Sequence, residues 1–263
     1  MQAQVLKRFL SRWLNTDMSH ILKKEWSESR THLVVVMSMS CFYLNNMTDY
    51  SSFNFNPFQF TGPDWWMKDF HSRHVSYFSG CKRILDLGAG RGFFLECLKE
   101  HGQDGLGVES HVPSVELGES KGLQFSRMDI FSFFASPEGQ ALASTCDGVY
   151  CAHVIEHLEP VEVFELFKAV KTFCAPGVRA RFITNNPGDI TVLSQVFWGD
   201  LTHKRLYPGF LLEGMAKSQG FTNVESRNFL GLKLGKKDQI RRLWDRLFWG
   251  QHKWLPNVLI DCK

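Results

Sequence analysis

The fold is decided by the stretch ILDLGAGRGFF, residues 84–94. Its apolar start is typical of a buried strand, and Asp86 lies near the strand's end. Three alternate glycines then form a tight turn, and Phe93 opens a helix. Glycines without Cβ atoms allow a ligand to lie against the backbone, and the first amides of the helix point at that ligand. The stretch therefore predicts a ligand-binding strand-turn-helix unit.

Strand-like and helix-like segments alternate from about residue 82 to about residue 230, which is typical of a parallel sheet with crossover helices. Helices are predicted at 93–100, 161–173 and 208–219, and strands at 83–87, 106–109, 123–128, 148–152, 179–184, 221–227 and 257–262. We therefore expect an α/β fold with a Rossmann-like, doubly wound sheet over residues 81–263, with a basic-aromatic helical insertion at 234–254.

Residues 1–80 are a separate helical and aromatic extension. The segment 5–14 reads as a basic amphipathic helix, which either packs on the body of the protein or contacts a membrane surface or partner. The loop-like segment 45–63 carries four of the 23 phenylalanines, so we expect this extension to form a lid over an acceptor pocket. His71 and His74, three residues apart, are interpreted as helix surface or acceptor-pocket lining.

Composition and charge exclude several classes. Thirty Lys and Arg against 27 Asp and Glu give a net charge of +3, which is too mild to favour a nucleic-acid partner. Seven scattered cysteines without a CxxC pair favour neither disulfides nor a zinc knuckle. The apolar run 33–44 is too short for a bilayer, which needs about 20 residues. We expect a cytoplasmic protein without a signal peptide or membrane span, and its oligomeric state stays open.

The glycine turn favours S-adenosylmethionine (SAM) over a dinucleotide. The dinucleotide fingerprint would need a third glycine where Phe93 stands, and Asp86 would repel a pyrophosphate. The same carboxylate suits SAM, which carries a sulfonium and an ammonium. Glu109, 19 residues after Gly90, is placed to accept the ribose hydroxyls. Asp129 either accepts the adenine amino group, with Ile130 against the base, or caps a helix.

Catalytic candidates follow the fourth predicted strand. His153, Glu156 and His157 leave its carboxyl end, the edge at which open parallel sheets bind ligands, and His203 lies in a later polar loop. If the reaction removes a proton from an acceptor, histidine has a suitable pKa to act as the general base. We expect His153 or His203 to be that base or to orient the acceptor.

The segment 84–227 resembles the class I SAM-dependent methyltransferases. The glycine turn, Glu109, Asp129 and the VIEHL stretch at 154–158 have the order and spacing of that superfamily, and ITNNPGD with FWGDLTHKRLYP is similar to bacterial enzymes of cell-surface polysaccharide and other small-molecule pathways. The resemblance implies seven strands with the last antiparallel, SAM as cofactor, S-adenosylhomocysteine (SAH) as product and a small-molecule acceptor. Its cofactor-binding positions here are Asp86, Gly88, Ala89, Gly90, Glu109, Ser110, Asp129, Ile130, Ala152 and His153.

Other functions stay open at this point. His153, Glu156, His157 and His203 also resemble the ligand set of metal-dependent RNA 2′-O-methyltransferases, but a histidine stands where a glutamate is expected. Mg²⁺ prefers oxygen ligands, so a divalent metal is not favoured and no metal ligand is assigned. A SAM-binding protein without catalysis is a further alternative, and Phe93 and Asp86 disfavour a nicotinamide-dependent oxidoreductase.

Overall fold

The computed structural model describes residues 63–229 and 257–263. Seven strands form one sheet: β1 (Arg83–Leu87), β2 (Asp104–Val108), β3 (Gln124–Ser126), β4 (Gly148–Ala152), β5 (Arg179–Asn185), β6 (Glu225–Phe229) and β7 (Asn257–Cys262). The described helices are α1 (Asp64–Val75), α2 (Phe93–Glu100), α3 (Val112–Ser120), α4 (Ile130–Ala135), α5 (Pro137–Ser144), α6 (Pro160–Phe173) and α7 (Gly209–Ser218). Shorter helical turns lie at Ser76–Phe78, Ile155–His157, Val192–Val196 and Phe197–Gly199.

The strand order is β3-β2-β1-β4-β5-β7-β6. The first five strands are parallel, and β7 lies between β5 and β6 and is antiparallel to both. The predicted seven-stranded, mostly parallel sheet with a reversed last strand is confirmed. The chain runs outward from β1 to β3 and then returns to β4 on the other side of β1. Ligands of open α/β sheets bind at this point of reversal, beyond the carboxyl ends of the strands.

Apolar residues cover both faces of the sheet. One face, with Leu85 and Phe182, packs against α4 to α7, and the other, with Ile84 and Ile183, packs against α1 and α2. Because side chains alternate along a strand, a central strand buried on both faces has to be apolar almost throughout. This requirement explains the mostly apolar sequences of β1 (RILDL) and β4 (GVYCA).

A row of polar side chains interrupts the second face. Asp86, Tyr150, Arg181 and Asp261 are register partners on the adjacent strands β1, β4, β5 and β7. The guanidinium of Arg181 donates to both carboxylate oxygens of Asp261, at 2.7 and 2.8 Å, which neutralises the buried charge. This polar row begins under the crevice between β1 and β4, so the sheet itself brings titratable groups to the site.

Element boundaries differ from the sequence predictions at several places. The sixth strand covers 225–229 instead of 221–227, because Phe221 and Val224 turn into the core after α7. Helices α3 to α5 were not predicted, because they are short and lack a clear apolar stripe. The helix that carries His71 and His74 ends at Val75 and continues as a short 3₁₀ turn.

Several predictions lie outside the described residues. These are the amphipathic helix at 5–14, the apolar run at 33–44, nearly all of the aromatic loop at 45–63 and the helical insertion at 234–254. Within residues 63–229 and 257–263, no helix is both long and apolar enough to cross a membrane. All six cysteines of this part are free thiols.

Candidate functional site

The glycine turn after β1 has the backbone that its sequence requires. Gly88, Gly90 and Gly92 all have positive φ, at 74°, 52° and 80°, a region that side chains with a Cβ rarely adopt. A Cβ on Gly88 would lie 2.4 Å from a methyl carbon of Val154, so this glycine is needed for packing. A Cβ on Gly90 would meet nothing within 4 Å. The space above Gly90 is therefore open for a ligand.

Asp86 is a buried carboxylate beside this turn. It is 3% exposed, and no residue of the described part forms a hydrogen bond with its side chain. Burial, and then the negative charge of Glu109, raise the pKa of Asp86 well above the usual carboxyl range. A buried carboxylate without a partner is costly, and a cationic ligand would remove that cost. The position therefore fits a ligand that carries an ammonium or a sulfonium.

Glu109 follows β2 and braces the turn. One carboxylate oxygen accepts the amide hydrogen of Gly90 at 2.9 Å, and the other accepts the amide hydrogen of His111 at 2.8 Å. The structure thus brings Asp86, the glycine turn, Glu109 and the adjoining Ser110 to one edge. Each oxygen of an ionised carboxylate accepts more than one hydrogen bond, so these amides leave acceptor capacity for two hydroxyls.

Asp129 caps α4, which was the second of its two predicted roles. One carboxylate oxygen accepts the amides of Phe131 at 3.0 Å and Ser132 at 2.9 Å. These hydrogen bonds, those with Ser132 above all, hold the pKa of Asp129 below its usual value. Ile130, the first residue of α4, packs against the core. Contact of Asp129 and Ile130 with an adenine stays a prediction.

His153 and Glu156 form a dyad at the end of β4, just after Ala152. Nδ1 of His153 lies 2.9 Å from one carboxylate oxygen of Glu156, and the hydroxyl of Thr184 donates to the other at 2.8 Å. Glu156 is fully buried, whereas the His153 side chain is 40% exposed. Burial works to raise the pKa of Glu156, but the hydrogen bond and charge of His153 outweigh burial, and the net pKa is lowered.

The hydrogen-bond partners fix the tautomer of His153. An ionised carboxylate only accepts, so Nδ1 of His153 carries the hydrogen and Nε2 carries the lone pair. The main chain holds this arrangement: His153 has a φ of 57° and donates its amide hydrogen to Ile183 at 2.9 Å. A positive φ is uncommon outside glycine, and such backbone conformations cluster at functional sites. In the neutral form of the ring, Nε2 is therefore the nitrogen that can accept a proton.

His157 and His203 form a second group, with ring centroids 4.7 Å apart. Nδ1 of His157 lies 2.8 Å from the hydroxyl of Thr202, which itself donates to Asp200 at 2.7 Å. Nδ1 of His203 donates to the carbonyl of Phe197 at 2.7 Å. Because the oxygens of Thr202 and Phe197 accept these hydrogen bonds, both rings carry a hydrogen on Nδ1. Burial is the largest cause of the lowered pKa of His157.

Glu156, His157 and His203 are spaced so that they can hold a metal ion. Their ligand atoms lie within 4.8 Å of one another, and no other group of this kind occurs among residues 63–229 and 257–263. Both oxygens of Glu156 already accept hydrogen bonds, from His153 and Thr184, so Glu156 has partners without an ion. The four predicted catalytic residues thus come together, but His153 pairs with Glu156 and His157 with Thr202.

Two groups of α1 also reach this edge. His71 lies within hydrogen-bond distance of Tyr150, with Nδ1 3.0 Å from the hydroxyl oxygen. Burial, and then the charge of a protonated His153, lower the pKa of His71 to about 3. His74 is 1% exposed and lies against Arg181. The interpretation of His74 as helix surface is therefore wrong, because α1 covers the polar row of the sheet.

Tyr150, Thr184 and Thr202 are site residues that the sequence analysis missed. In the sequence, Tyr150 is one residue of a buried apolar strand. The only sign that it lies near the site is that Tyr150 and Ala152, two residues apart, share a face of the sheet. Thr184 ends a predicted strand, so its hydroxyl had a position at the correct edge. Nothing local to the sequence indicated that Thr202 bonds to His157.

Comparisons with known proteins find methyltransferases. A family model described as a methyltransferase domain matches residues 67–226. The chain is similar to a SAM-dependent methyltransferase from Archaeoglobus fulgidus, with 26% identity and a TM-score of 0.64 over 82% of this chain and 100% of that one. A SAM-dependent methyltransferase from Mesorhizobium loti is 19% identical, with a TM-score of 0.50 over 70% and 90% of the two chains.

A human N-acetylserotonin methyltransferase, solved in complex with SAM, is 15% identical to this chain. It has a TM-score of 0.53 over 76% of this chain and 52% of its own. At these low identities, the last two structures demonstrate a common fold. A search of curated proteins finds no match.

Proposed function

Since the chain belongs to the methyltransferase-domain family and is a SAM-dependent methyltransferase, we propose that it methylates a small molecule, with His153 as general base. SAM supplies a methyl group activated by its positive sulfur. The protein has to orient a nucleophile against that methyl group, exclude water and accept a proton. The residues beyond β1, β2 and β4 are suited to these tasks.

The cofactor part of the proposal uses Asp86, Gly90 and Glu109. Asp86 offers a buried carboxylate, without a hydrogen-bond partner among the described residues, for a cationic group. Gly90 leaves open space above the backbone, and Glu109 offers acceptors for hydroxyls. Gly88, Ala89, Ser110 and Ala152 provide the surrounding backbone. This donor set fits SAM and does not fit a pyrophosphate, because two carboxylates would face its negative charge.

The observation that carries the catalytic part is the His153–Glu156 hydrogen bond at 2.9 Å. Buried Glu156 holds His153 with its Nε2 lone pair available, and its negative charge stabilises the imidazolium that forms when His153 takes a proton. The other predicted base, His203, donates its Nδ1 hydrogen to a main-chain carbonyl, and the carboxylate of Asp200 lies 3.8 Å from its Nε2, beyond hydrogen-bond distance. His153 is thus the better candidate.

The acceptor class is supported by charge and by the neighbours. The net charge of +3 does not favour a nucleic acid, and the similar human enzyme is an N-acetylserotonin methyltransferase by name. We also propose that the protein works in small-molecule biosynthesis in the cytoplasm, with the extension at 1–80 as a lid over the acceptor.

The test uses [methyl-¹³C]SAM with full-length protein and a low-molecular-weight cell extract as the source of acceptors. We expect the label to appear in a new small molecule with release of SAH. His153→Ala should lose this transfer to a much greater extent than it weakens SAM binding, to which His153 is also predicted to contribute. Equal transfer by wild type and His153→Ala would contradict the role of His153, and transfer to RNA alone would contradict the acceptor class.

A metal-assisted reaction is the second candidate, and the spacing of Glu156, His157 and His203 favours it. An ion there would acidify a hydroxyl acceptor. Transfer that is lost with a chelator and restored by a divalent ion would favour this candidate. An unchanged transfer rate in the presence of the chelator would contradict the metal-assisted reaction and favour proton removal by the His153–Glu156 dyad.

A further inference from the structure

Two imidazoles of different parts of the chain contact the same aromatic ring. The ring centroid of Phe70 lies 5.1 Å from that of His71 and 5.7 Å from that of His153. His71 belongs to α1, whereas His153 follows β4, and both side chains are partly exposed. The two side chains also interact electrostatically, because a protonated His153 lowers the pKa of His71. His153 follows the carboxyl end of β4, and ligands of open parallel sheets bind at that edge.

The tautomer of His71 follows from Tyr150. The hydroxyl of Tyr150 is fully buried, and Nδ1 of His71, at 3.0 Å, is its hydrogen-bond partner among the described residues. If Nδ1 carried the hydrogen, the hydroxyl hydrogen of Tyr150 would be buried without an acceptor, which costs about 1–3 kcal/mol. Tyr150 therefore donates to Nδ1 of His71, and the hydrogen of the neutral His71 ring is on Nε2.

The two rings consequently present opposite groups. His153 offers a lone pair on Nε2, because Glu156 holds its Nδ1 hydrogen, and His71 offers an N–H on Nε2. A hydroxyl matches this pair, since it has one hydrogen to donate and lone pairs to accept. A neutral amine has a single lone pair, which it needs for attack on the methyl group. The N–H of His71 would compete for that lone pair.

We propose that His71 is an acceptor-binding residue and that the acceptor group is a hydroxyl, so that the enzyme is an O-methyltransferase. This inference rests on the proposed function. The hydroxyl oxygen accepts the Nε2 hydrogen of His71 and donates its own hydrogen to Nε2 of His153. As the oxygen–carbon bond forms, the carbon–sulfur bond breaks and its electron pair stays on sulfur. The hydroxyl proton goes to His153, leaving an ether, a thioether and an imidazolium.

Tyr150 is the positioning residue of this arrangement, because it acts on the acceptor through His71. Without its hydroxyl, nothing described fixes which nitrogen of His71 carries the hydrogen. Tyr77→Phe is a matched control, since the hydroxyl of Tyr77 donates to the carbonyl of Ala180 and not to a histidine. Both substitutions remove one hydroxyl from a tyrosine on the same face of the sheet.

The direct test is nitrogen-15 NMR of histidine-labelled full-length protein, with signals assigned by His71→Asn and His153→Asn. We expect hydrogen on Nε2 of His71 and on Nδ1 of His153. Tyr150→Phe should convert His71 to a mixture of tautomers, and Tyr77→Phe should leave it unchanged. Hydrogen on the same nitrogen of both rings would overturn the proposal. This NMR measurement needs no cofactor. Failure of the protein to bind SAH would overturn the proposed function independently of the tautomers.

The chemical identity of the product is the second test. With [methyl-¹³C]SAM and a low-molecular-weight extract, the ¹³C signal should be that of a methoxyl group, and an N-methyl signal would overturn the proposal. His71→Ala should lower the transfer rate at limiting extract by about 10-fold or more. His71→Asn, which keeps an N–H donor, should recover part of it. Equal loss in both variants, with unchanged SAM affinity, would count against a donor role.

Discussion

Replacing Glu156 by Gln should stop catalysis while leaving the cofactor site intact. Glu156 accepts two hydrogen bonds, from Nδ1–H of His153 and from the hydroxyl of Thr184. A Gln side chain has one oxygen, so it cannot accept from both. If its NH₂ group faces His153, the ring has to move its hydrogen to Nε2 and is no longer a base. If its oxygen faces His153, the negative charge that stabilises the imidazolium is still lost.

The magnitude follows from what the dyad contributes. A positioned general base is worth about 10²- to 10⁴-fold in rate, so Glu156→Gln should lower the transfer rate by about 100-fold or more at saturating SAM. The affinity for SAM should stay within about twofold, because Glu156 lies outside the cluster of Asp86, Gly90 and Glu109. In the ¹⁵N spectrum, the hydrogen of His153 should no longer be confined to Nδ1.

The assay measures SAH release by full-length protein with SAM and the acceptor-containing extract, together with calorimetric titration of SAM. Glu165→Gln is the matched control, since Glu165 lies on the exposed face of α6 and changes in the same way. A transfer rate of Glu156→Gln within twofold of the wild type would refute the dyad as the source of the base.

Three further predictions concern the cofactor edge and the extension. Burial raises the pKa of Asp86, so the carboxyl of Asp86 holds its proton more tightly in the folded protein than in the unfolded chain. Asp86 therefore lowers the free energy of unfolding increasingly as the pH rises above the pKa of this carboxyl in the unfolded chain. Asp86→Asn should therefore raise the free energy of unfolding at pH 7 by about 1–3 kcal/mol, as measured by denaturant unfolding, with a smaller gain at pH 5. The same variant should bind SAM at least 10-fold more weakly. A destabilised variant that binds SAM normally would contradict both points. Gly90→Ala should weaken SAM binding in calorimetry more than 10-fold. Gly177, with a similar positive φ and equally open space, is the control, and Gly177→Ala should lower only the free energy of unfolding. Equal SAM affinities in the two variants would contradict the binding of SAM against Gly90. Deletion of 1–60 should spare SAM binding and abolish transfer, and retained transfer would rule out a lid.

Much of the fold was predictable because its strands are buried on both faces. Such strands are apolar runs between glycine-rich turns, and the turn at 88–92 left few alternatives for the backbone. The bounds were less predictable where a residue such as Phe221 is apolar because of core packing and not because of a strand. Helices as short as α4 also gave no periodic signal.

The edge of the sheet that carries the candidate site was predictable, but several of its hydrogen-bond partners were not. Sequence order placed Asp86, Glu109 and His153 at one edge, since parallel strands end together. Hydrogen bonds between distant segments, such as Glu156 with Thr184 or His71 with Tyr150, depend on side-chain directions that spacing does not give. The capping role of Asp129 was one of two options, and only the geometry of α4 identified it.

The central claim is that SAM binds at the edge formed by Asp86, the glycine turn and Glu109. Calorimetric titration of full-length protein with SAM tests it most directly, with Asp86→Ala and Glu109→Ala alongside. The account predicts one site in the wild type, loss of binding in both variants and no binding of NAD. Wild-type affinity in both variants, or NAD binding without SAM binding, would contradict it.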